Sequence, residues 1–476
     1  MPDDMTERLP RRTKIIYGAG DTGFSICGTI IGVLFAIYLT DVVGLKPGLA
    51  AAAVFIGRSW DYINDPLMGY LSDRTRTRWG RRRPFLLFGF VPYALAFILL
   101  WWKPPISSDV GLTVYYALAY LLYDAAATFV YMPYYALTPE LTLDYDERTS
   151  LTVYRMAFSI LGGLVAFTVP LAIIGSMRPE NADRVLMMAI LFGIVGALPI
   201  LLVFLNTRER PEFQAQAQPT LKESVRAALR NRPFLFAAGI FLLTWTTFDI
   251  VQTLLLFFLR YRMHLEAQSD LIAGTIFIVA LLTLPFWDWA SRHWDKRVAY
   301  SAGVAFWAAV VVVLVVVSPT WGLPVVFALA ALAGIGVGAA HVLPWSIIPD
   351  AAEWDELATG QRHEGMFYSL VTLMQKVASS VAIPMVLLML QFTGYVPNAP
   401  IQSPATVRGI QALMGPVPAV LLSAGILFAL LYPLSRKRHA EVRAELELRR
   451  AAQRPNPLSP PERTGLSGRL STGDSN

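Results

Sequence analysis

Asp61 and Asp65 stand four residues apart, with Asn64 between them, inside a run of residues otherwise apolar enough to cross a bilayer. On a helix that spacing puts both carboxylates on one face, with the amide beside them. A charged Asp at the centre of a span costs about 2.5–3.5 kcal/mol even on the lenient insertion scale. Two facing lipid would be hard to retain, so the face is expected to look into a helix bundle. Carboxylate, amide and hydroxyl oxygens are hard ligands, suited to an alkali cation as they are to Ca2+ and Mg2+. The chemistry open to this face is therefore to bind or relay a cation. The plainer alternative is a structural polar cluster or a pair of protonated acids.

Three further polar residues sit deep in apolar runs. Asp124 and Thr128 share a helix face in LLYDAAATFVYMPYYAL, and Lys376 lies mid-span in MFYSLVTLMQKVASSVA. A buried ammonium needs a partner, and Lys376 is expected to neutralise an aspartate when the cation is absent; a purely structural ion pair is the other reading. Arg58, three residues before Asp61, either bridges to a carboxylate or snorkels outward. His341 reads as a satisfied interior histidine. After the aspartates, SDRTRTRWGRRRP offers Asp73 beside a run of arginines that includes Arg74 and Arg81. The run is ordinary topogenic charge, or an ion-pair latch that holds one conformation and loosens in another.

The elements that must position these groups are spans. Of the 476 residues 55% are hydrophobic and only 16% charged, against about 25% charged in a soluble domain. Twelve candidate spans are predicted near 17–41, 48–71, 84–102, 111–138, 150–175, 186–206, 234–259, 269–290, 298–318, 322–348, 364–393 and 412–434, each long enough for a bilayer-crossing helix. The fold class is therefore an all-α membrane protein of twelve transmembrane helices in two six-helix halves. Residues 1–16 precede the first half (17–206), a polar linker (207–233) precedes the second (234–435), and a tail (436–476) follows.

Lys and Arg concentrate after spans two, six, eight and twelve, so both termini are expected to be cytoplasmic, in a cell (inner) membrane. GYLSDRTRTRWGRRR after span two has an echo in DWASRHWDKR after span eight, and repeated halves suit an alternating-access transporter. LKESVRAALRN in the linker reads as a surface-lying amphipathic helix. RHAEVRAELELRRAAQR reads as a solvated helix, and the Pro/Ser/Gly-rich end of the tail as disordered. Gly69, Gly80 and the glycines of GIGVGAAH allow close helix approach. Trp101, Trp102, Trp287 and Trp289 read as interfacial belts. No cleaved signal peptide is expected. Cys27 is the single cysteine, which excludes an internal disulfide or a Cys-based metal site. No Ser–His, metal-ligand or phosphate-loop arrangement points to an enzyme. The net charge of +6 belongs to loops and tail rather than to a nucleic-acid partner. The partners expected are the lipid bilayer and a small-molecule substrate, with the chain a monomer and no cofactor beyond a coupling ion.

WDYINDPLMG followed by TRTRWGRRRP, then PELTLDYDERTSL and LPWSIIPDAAEWDELATGQRHEGMFYS, resemble the glycoside–pentoside–hexuronide:cation symporters. These belong to the major facilitator superfamily and include the melibiose permeases and the sodium-dependent lysolipid symporters. The resemblance runs from YGAGDTG to the end of span twelve. It implies the major facilitator fold and a sodium site at Asp61, Asn64, Asp65 and Thr128, with the family's helix-eleven lysine at Lys376. It also implies a substrate site near Ser25, Asp124, Tyr131, Tyr135, Arg155 and Lys376. Ser25 stands where melibiose permeases have an acidic sugar-binding residue, Tyr131 where they have a sugar-binding Asp and Tyr135 where they have a Trp; Arg155 is retained. Asp124 matches an acidic position that the lysolipid symporters resemble more closely. The function implied is sodium-coupled symport of a glycoside-type solute. A lysophospholipid substrate is the alternative, and proton coupling or a non-transporting receptor are further ones.

Overall fold

The computed structural model describes residues 9–142, 145–209, 228–359 and 364–453. Within the lipid core a backbone can satisfy its own N–H and C=O groups only as helix or closed barrel, and the described residues form helices with no named strand. The helices are α1 (Arg11–Ile37), α2 (Pro47–Ser59), α3 (Asp61–Arg74), α4 (Arg83–Leu100) and α5 (Asp109–Leu141). Next come α6 (Tyr145–Ile174), α7 (Ala182–Asn206), α8 (Arg232–Tyr261), α9 (Ser269–His293) and α10 (Lys296–Val316). The last are α11 (Leu323–Thr359), α12 (Glu364–Phe392), α13 (Pro404–Met414), α14 (Pro416–Leu430) and α15 (Arg436–Gln453). Most of LKESVRAALRN and the end of the tail lie outside the described residues.

Eleven helical segments among the described residues are long and apolar enough to cross a membrane. The expected second span is the exception. It is two helices, α2 and α3, joined through Trp60 in right-handed helical conformation, φ −65°, ψ −29°. Its second piece, DYINDPLMGYLSDR, carries the acids and is not apolar on average. The last span also differs from expectation. Gly415 breaks it into α13 and α14, with proline opening each piece; a proline at a helix start gives up an N–H that had no partner there anyway.

Close approach holds the bundle together where glycine permits it. A Cβ on Gly23 of α1 would overlap the Gly196 carbonyl of α7, and Cβ atoms on Gly334 and Gly336 of α11 would overlap α9 and α10. Gly69 faces open space instead and makes no such approach. Gly23→Ala has to push two backbones apart, so it is expected to cost about 1–3 kcal/mol, read as a lower melting temperature of the purified protein.

Two of the four expected interfacial tryptophans are interior. Trp101 packs against Phe35, Tyr38 and Phe97, and Trp287 donates its indole N–H to the Ile335 carbonyl at 2.8 Å. Trp102 and Trp289 are exposed. An indole can belong to a belt or a core, and tertiary packing decides which.

Beyond α14, α15 forms as expected but is not free in solvent. Val442 and Leu446 are buried beneath it, and His439 pairs with Glu353 of α11 at 2.7 Å. At its C-terminal end, α1 widens into a π-helical turn at Tyr38–Val43. Asp41 in that turn is fully buried and accepts from Arg260 at 2.6 Å and from the hydroxyls of Tyr261 and Tyr395. This ties α1 to α8 and to the chain after α12.

Candidate functional site

The sequence-expected cation residues come together. Asp61, Asn64 and Asp65 on α3 face α5, where Thr128 donates from Oγ1 to Asp65 Oδ1 at 3.2 Å and Asn64 donates from Nδ2 to the Asp124 carbonyl at 3.4 Å. Asp61, Asn64, Asp65, Asp124 and Thr128 are all between 2% and 9% exposed, so none of the acids faces lipid. Asp124 adds a carboxylate close to Asp61, and its Oδ2 is buried without a hydrogen-bond partner.

Lys376 reaches this cluster from α12. Its ammonium donates to Asp61 Oδ1 at 2.8 Å and to the two oxygens of Asp65 at 2.9 and 2.7 Å. An ammonium has three donors, and all three are engaged on these two carboxylates. The pocket between α3 and α12 therefore already holds one unit of positive charge.

The same ammonium lies 5.9 Å from the centre of the Tyr131 ring, which leads to a second cluster. Tyr131 meets Tyr135 edge-on at 4.1 Å. The guanidinium of Arg155 sits 4.3 Å above Tyr135, within the range of a cation–π contact. The Tyr135 hydroxyl donates to Asp21 of α1. Arg155 keeps a buried Nε with no hydrogen-bond partner. Ser25 is engaged elsewhere, its hydroxyl donating to the Ser159 carbonyl of α6 at 2.6 Å.

The arginines of the expected latch meet two acids among the described residues. The side chain of Asp73 lies outside what is described, and Arg74 is exposed. Arg81 pairs with Glu140 at 2.6 Å, and the backbone N–H groups of Arg81, Arg82 and Arg83 donate to Glu209 at 2.6, 2.8 and 2.8 Å. The arginines were legible in the sequence; Glu140 and Glu209 were not singled out. Asp21 and Asp249 were missed as well, although each is an acid in an apolar span and so carries the signal that exposed Asp61. Asp249 of α8 accepts the Ser379 hydroxyl, and Arg58 donates from Nη1 to the Ser379 carbonyl at 3.1 Å. His341 is the satisfied interior histidine expected, with Nδ1 3.2 Å from the Val337 carbonyl and its ring against Trp245 and Phe248.

The family described as MFS/sugar transport protein matches residues 16–436. The chain belongs to that family. It is a membrane-embedded, multi-pass secondary transporter of the MFS type. An uncharacterised symporter of Synechocystis sp. is 32% identical over 93% of this chain and 98% of its own. The sodium-dependent lysophosphatidylcholine symporter 1-A of Danio rerio is 28% identical, over 92% of this chain and 88% of that one. Among solved structures, a D-xylose–proton symporter superposes with a TM-score of 0.63, covering 88% of this chain and 96% of that one at 14% identity; the likeness is one of fold.

Proposed function

We propose that this MFS-family transporter moves sodium inward together with a zwitterionic lysophospholipid, by alternating access. One observation carries the sodium half of the reading: the Lys376 ammonium engages Asp61 and Asp65 with all three of its donors. It stands where a substrate sodium ion would stand. Sodium arriving at Asp61 and Asp65 would draw on the Asn64 amide oxygen and the Thr128 hydroxyl, neutral oxygens that an alkali ion uses and a proton does not need. That supports sodium over proton coupling. Displaced, Lys376 is free to swing along the Tyr131 face and meet an anionic group of the substrate. Sodium thereby raises substrate affinity, and linkage requires substrate to raise sodium affinity by the same factor.

The substrate half departs from the glycoside expected from the sequence. Ser25, in place of an acidic sugar-binding residue, has its hydroxyl on the Ser159 carbonyl, and aromatic Tyr131 and Tyr135 fill the other sugar-binding positions. Arg155, with its unpartnered Nε, suits a phosphate; Asp21 beside it suits an ammonium, while Asp124 with its unpartnered Oδ2 adds a further polar group nearby. The relatives named for lysophosphatidylcholine favour the same class. The two halves would rock about this site with both termini cytoplasmic in the cell's inner membrane, and the arginine loop against Glu140 and Glu209 would serve as the inner latch.

In thermal shift on the protein in nanodiscs, submicellar lysophosphatidylcholine is expected to raise the melting temperature, by a larger step with sodium than with potassium. Liposome uptake should show the same pairing. Stabilisation by glycosides in sodium, with none by lysolipid, overturns the substrate assignment.

A further inference from the structure

Arg58 precedes Asp61 by three residues across a junction that stays helical, so the two side chains are neighbours on one face. A guanidinium keeps its charge under all ordinary conditions and prefers a carboxylate. Left to itself, Arg58 would close on Asp61. Its hydrogen bond goes elsewhere: Nη1 donates to the Ser379 carbonyl of α12 at 3.1 Å. The Ser379 hydroxyl in turn donates to Asp249 of α8, which places that carboxylate behind the carbonyl Arg58 has found. Cations thus cross both ways between the second span (α2 with α3) and α12. Lys376 of α12 serves the acids of α3, while one turn along α12 Ser379 receives Arg58 from α2, with Asp249 behind it.

Resting on the sodium reading above, we propose that Asp249 is a positioning residue for the coupling ion. Acting through Ser379, it holds Arg58 on the α12 side and so keeps a permanent, non-exchangeable cation off Asp61. That carboxylate then stays open to the two cations that must alternate on it, Lys376 and sodium. Without Asp249, Arg58 has Asp61 as its nearest strong acceptor. The sodium-competent fraction of sites then falls, and apparent sodium affinity falls in proportion.

The test is sodium half-saturation of lysophosphatidylcholine uptake in liposomes containing the full chain. Asp249→Asn is expected to raise half-saturation by about tenfold or more, with the effect on half-saturation exceeding that on maximal rate. Arg58→Gln added to Asp249→Asn removes the competitor and is expected to bring half-saturation back toward the wild-type value. A merely structural Asp249 would lower melting temperature and maximal rate, leave half-saturation alone, and show no such recovery. If Asp249→Asn does not fold, Ser379→Ala removes the hydroxyl that anchors the carboxylate and shifts the same readout in smaller measure. Unchanged half-saturation in the folded variant overturns the role given to Asp249 while leaving the transporter reading intact. Wild-type uptake indifferent to sodium overturns that reading, and this role with it.

Discussion

Asp61→Asn is expected to reduce sodium-driven accumulation by about 100-fold or more while the protein still folds. Asn keeps the shape of the side chain and removes its charge. Lys376 retains both oxygens of Asp65, at 2.9 and 2.7 Å, so the link from α12 to α3 survives and the melting temperature should move little. The proposed sodium site loses one of its two formal negative charges. In binding, truncating one partner of a buried charge pair costs about 2–5 kcal/mol, and each 1.4 kcal/mol is about tenfold in a binding constant. Asp65→Asn should be harsher, since Asp65 holds two of the three Lys376 bonds and the Thr128 hydroxyl. Uptake in liposomes with an imposed sodium gradient, beside a melting curve of the same preparation, checks both variants. Persistent accumulation with unaltered sodium dependence in Asp61→Asn would show that the ion binds elsewhere.

The fold was legible because lipid leaves the backbone few options. Apolar runs of bilayer length have to be helices, and the order of spans in the sequence is the order in the structure. The second span, α2 with α3, departs where Asp61, Asn64 and Asp65 dilute its apolarity. That is the same feature that marked it as functional. The cation cluster was legible for a related reason: a carboxylate or ammonium deep in an apolar run is costly enough to need a purpose.

Partnership was not legible. Lys376 and Asp61 are 315 residues apart in the chain, and no periodicity links them. The arginines after α3 were plain, yet the acids they find are Glu140 on α5 and Glu209 after α7, because the return of distant helices decides which carboxylate is near. Asp21 went unnoticed among the glycines of YGAGDTG, and Asp249 among the threonines of TWTTFDIVQ, where small and polar neighbours soften the contrast that made Asp61 conspicuous. Among the described residues of the central cluster, four carboxylates (Asp61, Asp65, Asp124 and Asp249) then stand against two cations, Arg58 and Lys376. That gathering of acids around two cations emerges only when α3, α5, α8 and α12 are assembled.

Lys376→Met separates binding from coupling. Methionine keeps the length and flexibility of the chain and removes the charge. Sodium then no longer competes with a tethered ammonium for Asp61 and Asp65, so its affinity is expected to rise by about tenfold or more. The sodium-free protein is left with two buried carboxylates lacking their counter-ion and should melt lower. Sodium, by occupying the native site, should restore more stability than it adds to the wild type. Transport is expected to move the opposite way. On the proposed coupling, sodium acts on substrate by releasing Lys376 toward Tyr131; without the lysine, sodium has nothing to release, and sodium-driven accumulation should collapse although the ion is held more tightly. Calorimetric sodium titration and liposome uptake on one preparation read the two effects. Weaker sodium binding in Lys376→Met would make the lysine a supporting element of the site rather than the ion's rival, and uptake unchanged from wild type would deny it any part in coupling.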